Sequence, residues 1–409
     1  MRADREIWVT GIGVVSSLGI ELAAHHRLLT EPVTGRALID AIGFAAYPVH
    51  RLAAIDFGRQ IPSKSEQRQM GIWQRIGVYA SGLALESAGL TGQPDLLDTT
   101  DLVVAAGNGE RDQVLDQRIF ETVSAKSFSD GSLNTCLMTG LRPTLYLGEL
   151  SNLLAGNIQI IHHVTGSSRT LKGEEMAGVS AIENAVRRIG AGQGDLFLVG
   201  GALNAEREDL LLNYELGCNL WAHPFKPVWE RREAGGGFVP GSIGAFLVLE
   251  SRCHAEARGV RPYARIRTVL SDHSQREPGQ ARDTLAALID DASPGLAPGP
   301  LAVLSGASGV EPVTGEELEC LTALSAKGFA PAIRAFGTPF GHSVEAHFPL
   351  GVALAALALE KGSFYPPFDD SGVEQAFDGP LDRVLVTGLG HWRGEGLALL
   401  ERVGAREAA

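Results

Sequence analysis

The stretch GSSRTLKGEEMAGVSA, residues 166–181, begins a helix within a chain of alternating strand and helix patterns. We predict that this helix runs over residues 173–190 and ends at the glycine-rich GAGQG of residues 190–194. Glu174 and Glu175 fall in its first turn, where the helix dipole stabilises a carboxylate by about 0.3–1 kcal/mol. The simplest interpretation of Glu175 is an acid at a helix start. A more specific role depends on the rest of the chain.

The neighbouring segments predict an α/β fold. Apolar runs, several of them closed by glycine, occur at residues 7–15, 101–107, 195–201, 245–250, 301–306 and 383–390. Such runs are typical of strands in sheets that helices cover on both faces. Helices are predicted over residues 69–90, 147–164 and 350–360. The segments 31–65 and 270–300 are predicted as loops or linkers. WVTGIG at residues 8–13 is echoed by LVTGLG at 385–390, which suggests an internal duplication.

The composition excludes several classes of function. The chain has 409 residues with 48 acidic and 35 basic side chains, and this excess of acid argues against sequence-independent binding of nucleic acid. Four scattered cysteines without a CxxC pair predict reduced thiols rather than a zinc site. His162 and His163 lack a third ligand nearby, so no metal site is predicted. Without a signal-peptide pattern or an apolar run of about 20 residues, the chain is expected to be cytoplasmic, with no integral membrane segment.

In the order of its motifs the chain resembles the type II β-ketoacyl-acyl-carrier-protein synthases, including the chain-length factors of aromatic polyketide systems. The motifs are VTGIGVVSSLG at 9–19, the approach to the helix over 151–175, GFVPGSIGAFLVLE at 237–250, FGH at 340–342 with YPP at 365–367, and GLG at 388–390. The resemblance implies a duplicated thiolase-like α/β/α/β/α fold with halves at residues 1–250 and 260–409. It also implies a dimer and a tunnel for an acyl chain. The chain would arrive on the phosphopantetheine arm of an acyl-carrier protein, and no cofactor would be tightly bound.

The family's chemistry uses a cysteine thiolate at a helix start to carry the acyl chain and two imidazoles to stabilise an enolate. By this resemblance, Glu175 takes the position of the cysteine, Ala307 that of the first histidine and His342 that of the second. Gly337 takes the position of a lysine, and Arg334 is the nearest cation to it in the sequence. Leu389 takes the position of a phenylalanine that gates the site. Leu389 and Asn152 are assigned to the tunnel, and His347 is expected to be structural. One of the three central catalytic groups is therefore retained.

Three functions stay open. The first is a non-condensing subunit, similar to a chain-length factor, that forms a heterodimer with an active synthase. The second is an enzyme with altered chemistry, either a malonyl-carrier-protein decarboxylase or an atypical condensing enzyme that uses His342. The third is a non-catalytic protein that binds an acyl-carrier protein or a lipid. The implied dimer is either a homodimer or a heterodimer with an active synthase.

Alternative roles also stay open for several individual side chains. Glu175 could shape a pocket, or it could form an anhydride-like acyl intermediate, which water would hydrolyse. His342 could be catalytic or could cap a helix. Arg169 and Lys172 could pair with the two acids or face the phosphopantetheine arm. The polar run NAERE at residues 204–208 could pack at a dimer interface or line the pocket.

Overall fold

The computed structural model describes residues 5–30, 39–125, 129–140, 147–294 and 296–404. Residues 31–38, the first part of one predicted loop, and residue 295 of the other lie outside these ranges. Within the described residues, ten strands form one mixed sheet and two short strands form a separate hairpin. The strands are β1 Ile7–Val15, β2 Ile39–Asp40, β3 Val49–His50, β4 Asp101–Ala105, β5 Ser168–Leu171, β6 Leu196–Leu203, β7 Ile243–Ser251, β8 Ala264–Asp272, β9 Gly299–Ser305, β10 Phe329–Ala335, β11 Arg383–Leu389 and β12 Glu395–Glu401.

The sheet contains the same topology twice. Its order is β10-β9-β11-β12-β8-β1-β7-β6-β4-β5, so the first half reads β5-β4-β6-β7-β1 and the second half reads β10-β9-β11-β12-β8. In each half the first two pairings are parallel and the last two are antiparallel. The halves meet where residues 7–9 of β1 pair with residues 264–266 of β8. The predicted α/β fold with an internal duplication is confirmed.

The helices between the strands repeat in the same way. They are α1 Leu22–Thr30, α2 Lys64–Gln69, α3 Ile72–Ser87, α4 Pro94–Leu97, α5 Gln113–Ser124, α6 Asp130–Gly140, α7 Leu153–His162, α8 Glu175–Gly190, α9 Glu208–Leu216, α10 Arg252–Ala257, α11 Gln280–Ala292, α12 Val313–Ala323, α13 Gly337–Phe340 and α14 His347–Lys361. Short 3-10 turns lie at Phe57–Arg59, Trp229–Ala234, Leu324–Lys327 and Val344–Ala346. Helix α8 joins β5 to β6 in the first half, and α14 joins β10 to β11 at the equivalent place in the second.

Three hydrophobic clusters define the layers. Alternate residues of a strand point to opposite faces. In β4, Leu102 packs into the cluster of α3 and α7, whereas Val103 packs into the cluster of α8 and α14. In β9, Leu301 belongs to the cluster of α11 and α12, whereas Ala302 faces α8 and α14. The layers are thus α3 and α7, a half-sheet, α8 and α14, a half-sheet, and α11 and α12.

The two central helices approach each other closely, and this brings their N-terminal ends to one place. A Cβ atom added to Gly178 of α8 would lie 2.6 Å from the carbonyl oxygen of Glu345 and 2.8 Å from Cδ of Pro349. Both are closer than van der Waals contact allows, so glycine is required here. The contact places Glu175, at the start of α8, beside the turn that precedes α14.

Two expectations from the sequence are wrong in detail. Helix α11 occupies Gln280–Ala292 inside the predicted linker 270–300, because its buried residues Ala281, Leu285, Leu288, Ile289 and Ala292 recur on one helical face. The echoed sequences belong to β1 and β11, which hold different positions in the two repeats. The duplication is real, but the echo does not mark it. The division at residues 1–250 and 260–409 remains a prediction.

Candidate functional site

Glu175 is the first residue of α8 and is 3% exposed. The turn between β5 and α8 contains Gly173 with φ 146° and Glu174 with φ 55° and ψ −133°. A positive φ is unfavourable for a residue with a side chain and typically costs about 1–3 kcal/mol. Surrounding contacts must hold Glu174 in this conformation. One of them is a hydrogen bond that the indole Nε1–H of Trp392 donates to the Glu174 carboxylate.

Two histidines bind the same oxygen of Glu175. Nε2 of His342 lies 2.7 Å from Oε1, and Nδ1 of His391 lies 2.8 Å from it. The backbone N–H of His391 donates to Oε1 as well, at 3.3 Å. A carboxylate can only accept hydrogen bonds, so both ring nitrogens carry their protons toward it. The position predicted for a nucleophile is therefore held by a buried carboxylate between two imidazoles.

The electrostatics of this cluster favour an ion pair between Glu175 and His391. Burial opposes ionisation of Glu175, but His391 and His342 outweigh it and hold the pKa of the carboxyl well below its usual range. Burial likewise opposes protonation of His391, but the Glu175 carboxylate outweighs it and raises the pKa of that imidazole above its usual value. Glu175 is therefore anionic at neutral pH.

The turn that carries His391 is fixed from a second side. Arg276 donates from one guanidinium nitrogen to the carbonyl oxygens of Gly390 and Gly394 and forms an ion pair with Glu395 at 3.2 Å. The backbone of Gly390 also donates to the carbonyl oxygen of Gly394 at 2.9 Å. Residues 388–394, which we call the glycine turn, are thus held by Arg276 on one side and by the two acids that begin α8 on the other.

The positions that the resemblance assigns to the first histidine and to the lysine are held by two small, neutral residues, Ala307 and Gly337. Ala307 is buried at 1% exposure. The ring of His347 lies 4.3 Å from that of His342, and a Cβ on Gly337 would lie 3.8 Å from His347 Cε1 and 3.3 Å from the Ala307 carbonyl oxygen. Burial lowers the pKa of His347 well below its usual value, so its ring is neutral.

Arg334, the cation closest in sequence to Gly337, does not reach this site. Its guanidinium donates to the carbonyl oxygens of Tyr365 and Ile333 and lies 3.9 Å from Glu374. It therefore supports the core beneath β10. Arg334 therefore does not substitute for the lysine that the resemblance assigns to the position of Gly337.

A cavity of about 680 Å³ opens beside the cluster. Its wall includes Lys172, Glu174, Arg207, Glu345 and His391. Lys172 donates to Asn108, which also lines the cavity, at 3.1 Å. The sequence leaves two locations open for the run at residues 204–208, a dimer interface or the pocket. Arg207, one residue of this run, lines the cavity. The predicted contact of Lys172 with a phosphopantetheine arm remains a prediction.

The two residues assigned to the tunnel do not line this cavity. Asn152 is exposed at the start of α7, and its side chain makes no capping hydrogen bond. Leu389 is 2% exposed and packs in the cluster of α11 and α12. Their role in a tunnel remains a prediction.

Glu174, Glu175 and His391 each offer one ligand atom within 4.8 Å of the others, which is close enough to bind a common metal ion. The same side chains already satisfy each other or Trp392 through hydrogen bonds. This arrangement accounts for the cluster without a cation, and we assign no metal to it.

Sequence reasoning missed three residues of the site. They are His391, which binds Glu175, Trp392, which binds Glu174, and Glu345 in the turn before α14. No local pattern in the sequence marks His391 or Trp392 as a partner of these acids. The signal for Glu345 was an acid three residues after His342, in a segment that is otherwise mostly apolar up to α14.

Comparison with known proteins shows which family the chain around this site resembles. The family model described as the N-terminal domain of β-ketoacyl synthase matches residues 4–255. The 3-oxoacyl-[acyl-carrier-protein] synthase 2 of Vibrio cholerae is 25% identical over 272 residues, which cover 64% of this chain and 62% of that protein. The Mycobacterium bovis protein of the same name is 26% identical over 379 residues, covering 88% and 85%.

Among solved structures, the ishigamide ketosynthase/chain length factor superposes with a TM-score of 0.77 at 23% identity, covering 98% of this chain and 100% of the other. At this identity the likeness establishes the fold. In the part of the chain that the structure describes, no helix is both long and apolar enough to cross a membrane.

Proposed function

Because the chain belongs to the β-ketoacyl synthase family, we propose that it is a non-condensing subunit that pairs with an active synthase, as a chain-length factor does. In this role it shapes the site in which acyl chains are extended. The chains arrive on the phosphopantetheine arm of an acyl-carrier protein, so the subunit needs no tightly bound cofactor of its own.

The observation that carries this proposal is the Glu175 carboxylate held by His342 and His391. Acyl transfer requires a thiolate or another strong nucleophile. A carboxylate whose pKa is held well below its usual range is a weak nucleophile, and its acyl product would be an anhydride open to hydrolysis. The four cysteines of the chain do not line the cavity beside Glu175.

The relatives support the choice of partners. The Vibrio and Mycobacterium proteins are named for synthesis on an acyl-carrier protein. The ishigamide structure is described as a ketosynthase with a chain length factor, a pair of this kind. An acyl-carrier protein and an intact synthase are therefore the partners that we propose.

The contacts of Glu175 disfavour decarboxylation by this chain alone. An enolate forms only where hydrogen-bond donors are free to meet its developing charge. Here His342 Nε2 and His391 Nδ1 both donate to Glu175, and the negative charge of Glu175 would repel a second anion. The donors that decarboxylation would need are occupied.

Co-expression tests the proposal. The chain is tagged and expressed with an intact β-ketoacyl synthase from the same organism, the complex is isolated, and its acyl products are identified by mass with malonyl-carrier protein as extender. We expect a stable complex whose product length differs from that of the synthase alone, and no elongation by the tagged chain without its partner.

A matched variant separates the proposal from its alternatives. His342→Gln keeps a donor toward Glu175 but removes the imidazole, so a non-condensing subunit should give the same products. If the variant abolished carbon dioxide release from malonyl-carrier protein, the chain would be a decarboxylase. Binding of carrier protein without any change in products would indicate a binding protein instead.

A further inference from the structure

Glu345 is a buried acid whose carboxyl group no other side chain satisfies. It lies in the short turn Val344–Ala346 between His342 and α14 and is 5% exposed. It lines the 680 Å³ cavity. Among the described residues, its carboxyl accepts a hydrogen bond from its own backbone N–H and from no other residue. Burial, reinforced by the charges of Glu175 and Glu174, raises the pKa of this carboxyl to about 7.

The carboxyl of Glu345 fits in its place only because residue 107 is a glycine. A Cβ atom added to Gly107 would lie 2.2 Å from Oε1 of Glu345, so residue 107 must be glycine for the carboxyl to sit here. Gly107 follows β4 and lines the same cavity. The space around Glu345 is thus open to the cavity on one side and closed by backbone on the other.

Tyr214 adds a second unsatisfied group to the same cavity wall. Burial, with the nearby carboxylates Glu345 and Glu175, raises the pKa of its phenol far above the usual value, so the hydroxyl keeps its proton. In the described part of the chain this hydroxyl has no hydrogen-bond partner. The wall therefore offers an acceptor in Glu345 and a donor in Tyr214.

A saturated alkyl chain would suit this wall poorly. It would fill the cavity against Glu345 and Tyr214 and offer neither of them a hydrogen bond, and a buried polar group left unpaired is unfavourable. A hydroxyl group both donates and accepts, so it can satisfy either residue. We propose that this cavity selects a chain bearing a hydrogen-bond donor such as a hydroxyl over a saturated alkyl chain, and that Glu345 determines this specificity.

The inference rests on the proposed function in one respect, the choice of acyl chains as the class of ligand. Donors of this kind have two sources, a hydroxyl on the acyl chain and the amides of the pantetheine arm. Both present an uncharged O–H or N–H to the Glu345 carboxyl. The test therefore includes one probe for each source.

Calorimetric titration of the purified chain, without a synthase partner, measures the preference. The probes are octanoic acid, 8-hydroxyoctanoic acid and pantetheine. We expect the hydroxy acid to bind about tenfold more tightly than octanoic acid, a factor that one additional hydrogen bond can supply. Glu345→Gln keeps an acceptor and should keep much of the preference, whereas Glu345→Leu should remove it.

Two further variants keep the test decisive. Gly107→Ala crowds the carboxyl without changing Glu345 and should also remove the preference if Glu345→Leu does not fold. Glu233→Leu, at an exposed acid outside the cavity, is the matched control and should change nothing. If the hydroxy acid binds no more tightly than octanoic acid, and pantetheine binding weakens in Glu345→Leu, the donor that Glu345 selects belongs to the arm.

Equal affinity for octanoic and 8-hydroxyoctanoic acid, together with pantetheine binding that Glu345→Leu leaves unchanged, would overturn the inference. So would a preference that survives Glu345→Leu. Because no synthase is present in these titrations, either result leaves the proposed pairing with an active synthase untouched. Failure of that pairing would appear in the co-expression experiment instead.

Discussion

Replacing His391 by alanine tests whether the contacts around Glu175 hold the site together. The change removes the Nδ1–H donor 2.8 Å from a carboxylate that is 3% exposed. It also removes the edge-to-face contacts of the ring with Tyr214 and Phe238, at centroid distances of 5.5 and 5.9 Å. Breaking a buried ion pair by removing one partner typically costs about 3–5 kcal/mol. We expect about 3 kcal/mol, the low end, because His342 and a backbone N–H still bind Glu175.

A double-mutant cycle separates the charge from the lost packing. Glu175→Gln removes the buried charge, so His391→Ala should cost less in that background. We expect a coupling free energy of about 2 kcal/mol between the two residues, within the range for hydrogen bonds to charged groups. Urea unfolding followed by tryptophan fluorescence gives the four free energies of unfolding. Costs that add to within about 0.5 kcal/mol would refute the account, since independent sites behave in that way.

The same cycle has a predicted pH dependence. The pKa of His391 is raised in the folded state, so its contribution is complete below the ordinary value of 6.5 and is lost as the pH rises through the raised pKa. The pKa of Glu175 is lowered, so its contribution is complete above the ordinary value of 4.5 and is lost as the pH falls through the lowered pKa. The cost of His391→Ala should be greatest between these two ordinary values. A cost that keeps growing toward alkaline pH would contradict this sign.

Three other perturbations give distinct outcomes. Glu175→Cys restores a thiol at the start of α8 but leaves Ala307 and Gly337 in place, so we expect no elongation in a product-mass assay; elongation comparable to that of an intact synthase would contradict this. Gly178→Ala should lower the free energy of unfolding by about 1–3 kcal/mol, because its Cβ would meet the Glu345 carbonyl at 2.6 Å. The control Gly156→Ala on α7, whose Cβ would lie 3.7 Å from a leucine methyl group, should be neutral or stabilising by up to about 1 kcal/mol, and equal effects at the two sites would be unexpected. Arg276→Met should speed amide hydrogen exchange in residues 388–394 without doing so in α8, and unchanged exchange in the glycine turn would show that Arg276 does not hold it.

The fold was largely readable from the sequence because its strands are continuous apolar runs. The run at residues 195–201 became β6, Leu196–Leu203, and the helix predicted over 173–190 became α8, Glu175–Gly190. Helix α11 was missed because the composition of its surroundings suggested a linker, although its apolar residues recur with helical spacing. Periodicity is the better signal where the two disagree.

The site was readable only in part. The sequence located Glu175 and His342, since each stands in a motif with its own local pattern. It could not locate His391, because the contact of that ring with Glu175 joins residues 216 apart and depends on the fold of the glycine turn. Glu345 was missed for a similar reason. Its burial follows from the approach of α8 to α14 at Gly178, and that packing is visible only in three dimensions.

The central claim is that Glu175 occupies the nucleophile position without carrying an acyl group. The most direct test is the intact mass of the purified chain after incubation with acyl-carrier protein loaded with an acyl chain, quenched rapidly in acid. The account predicts an unchanged mass, both alone and with the partner synthase, while the partner gains the acyl group. An acyl adduct on this chain that disappears in Glu175→Gln would contradict it.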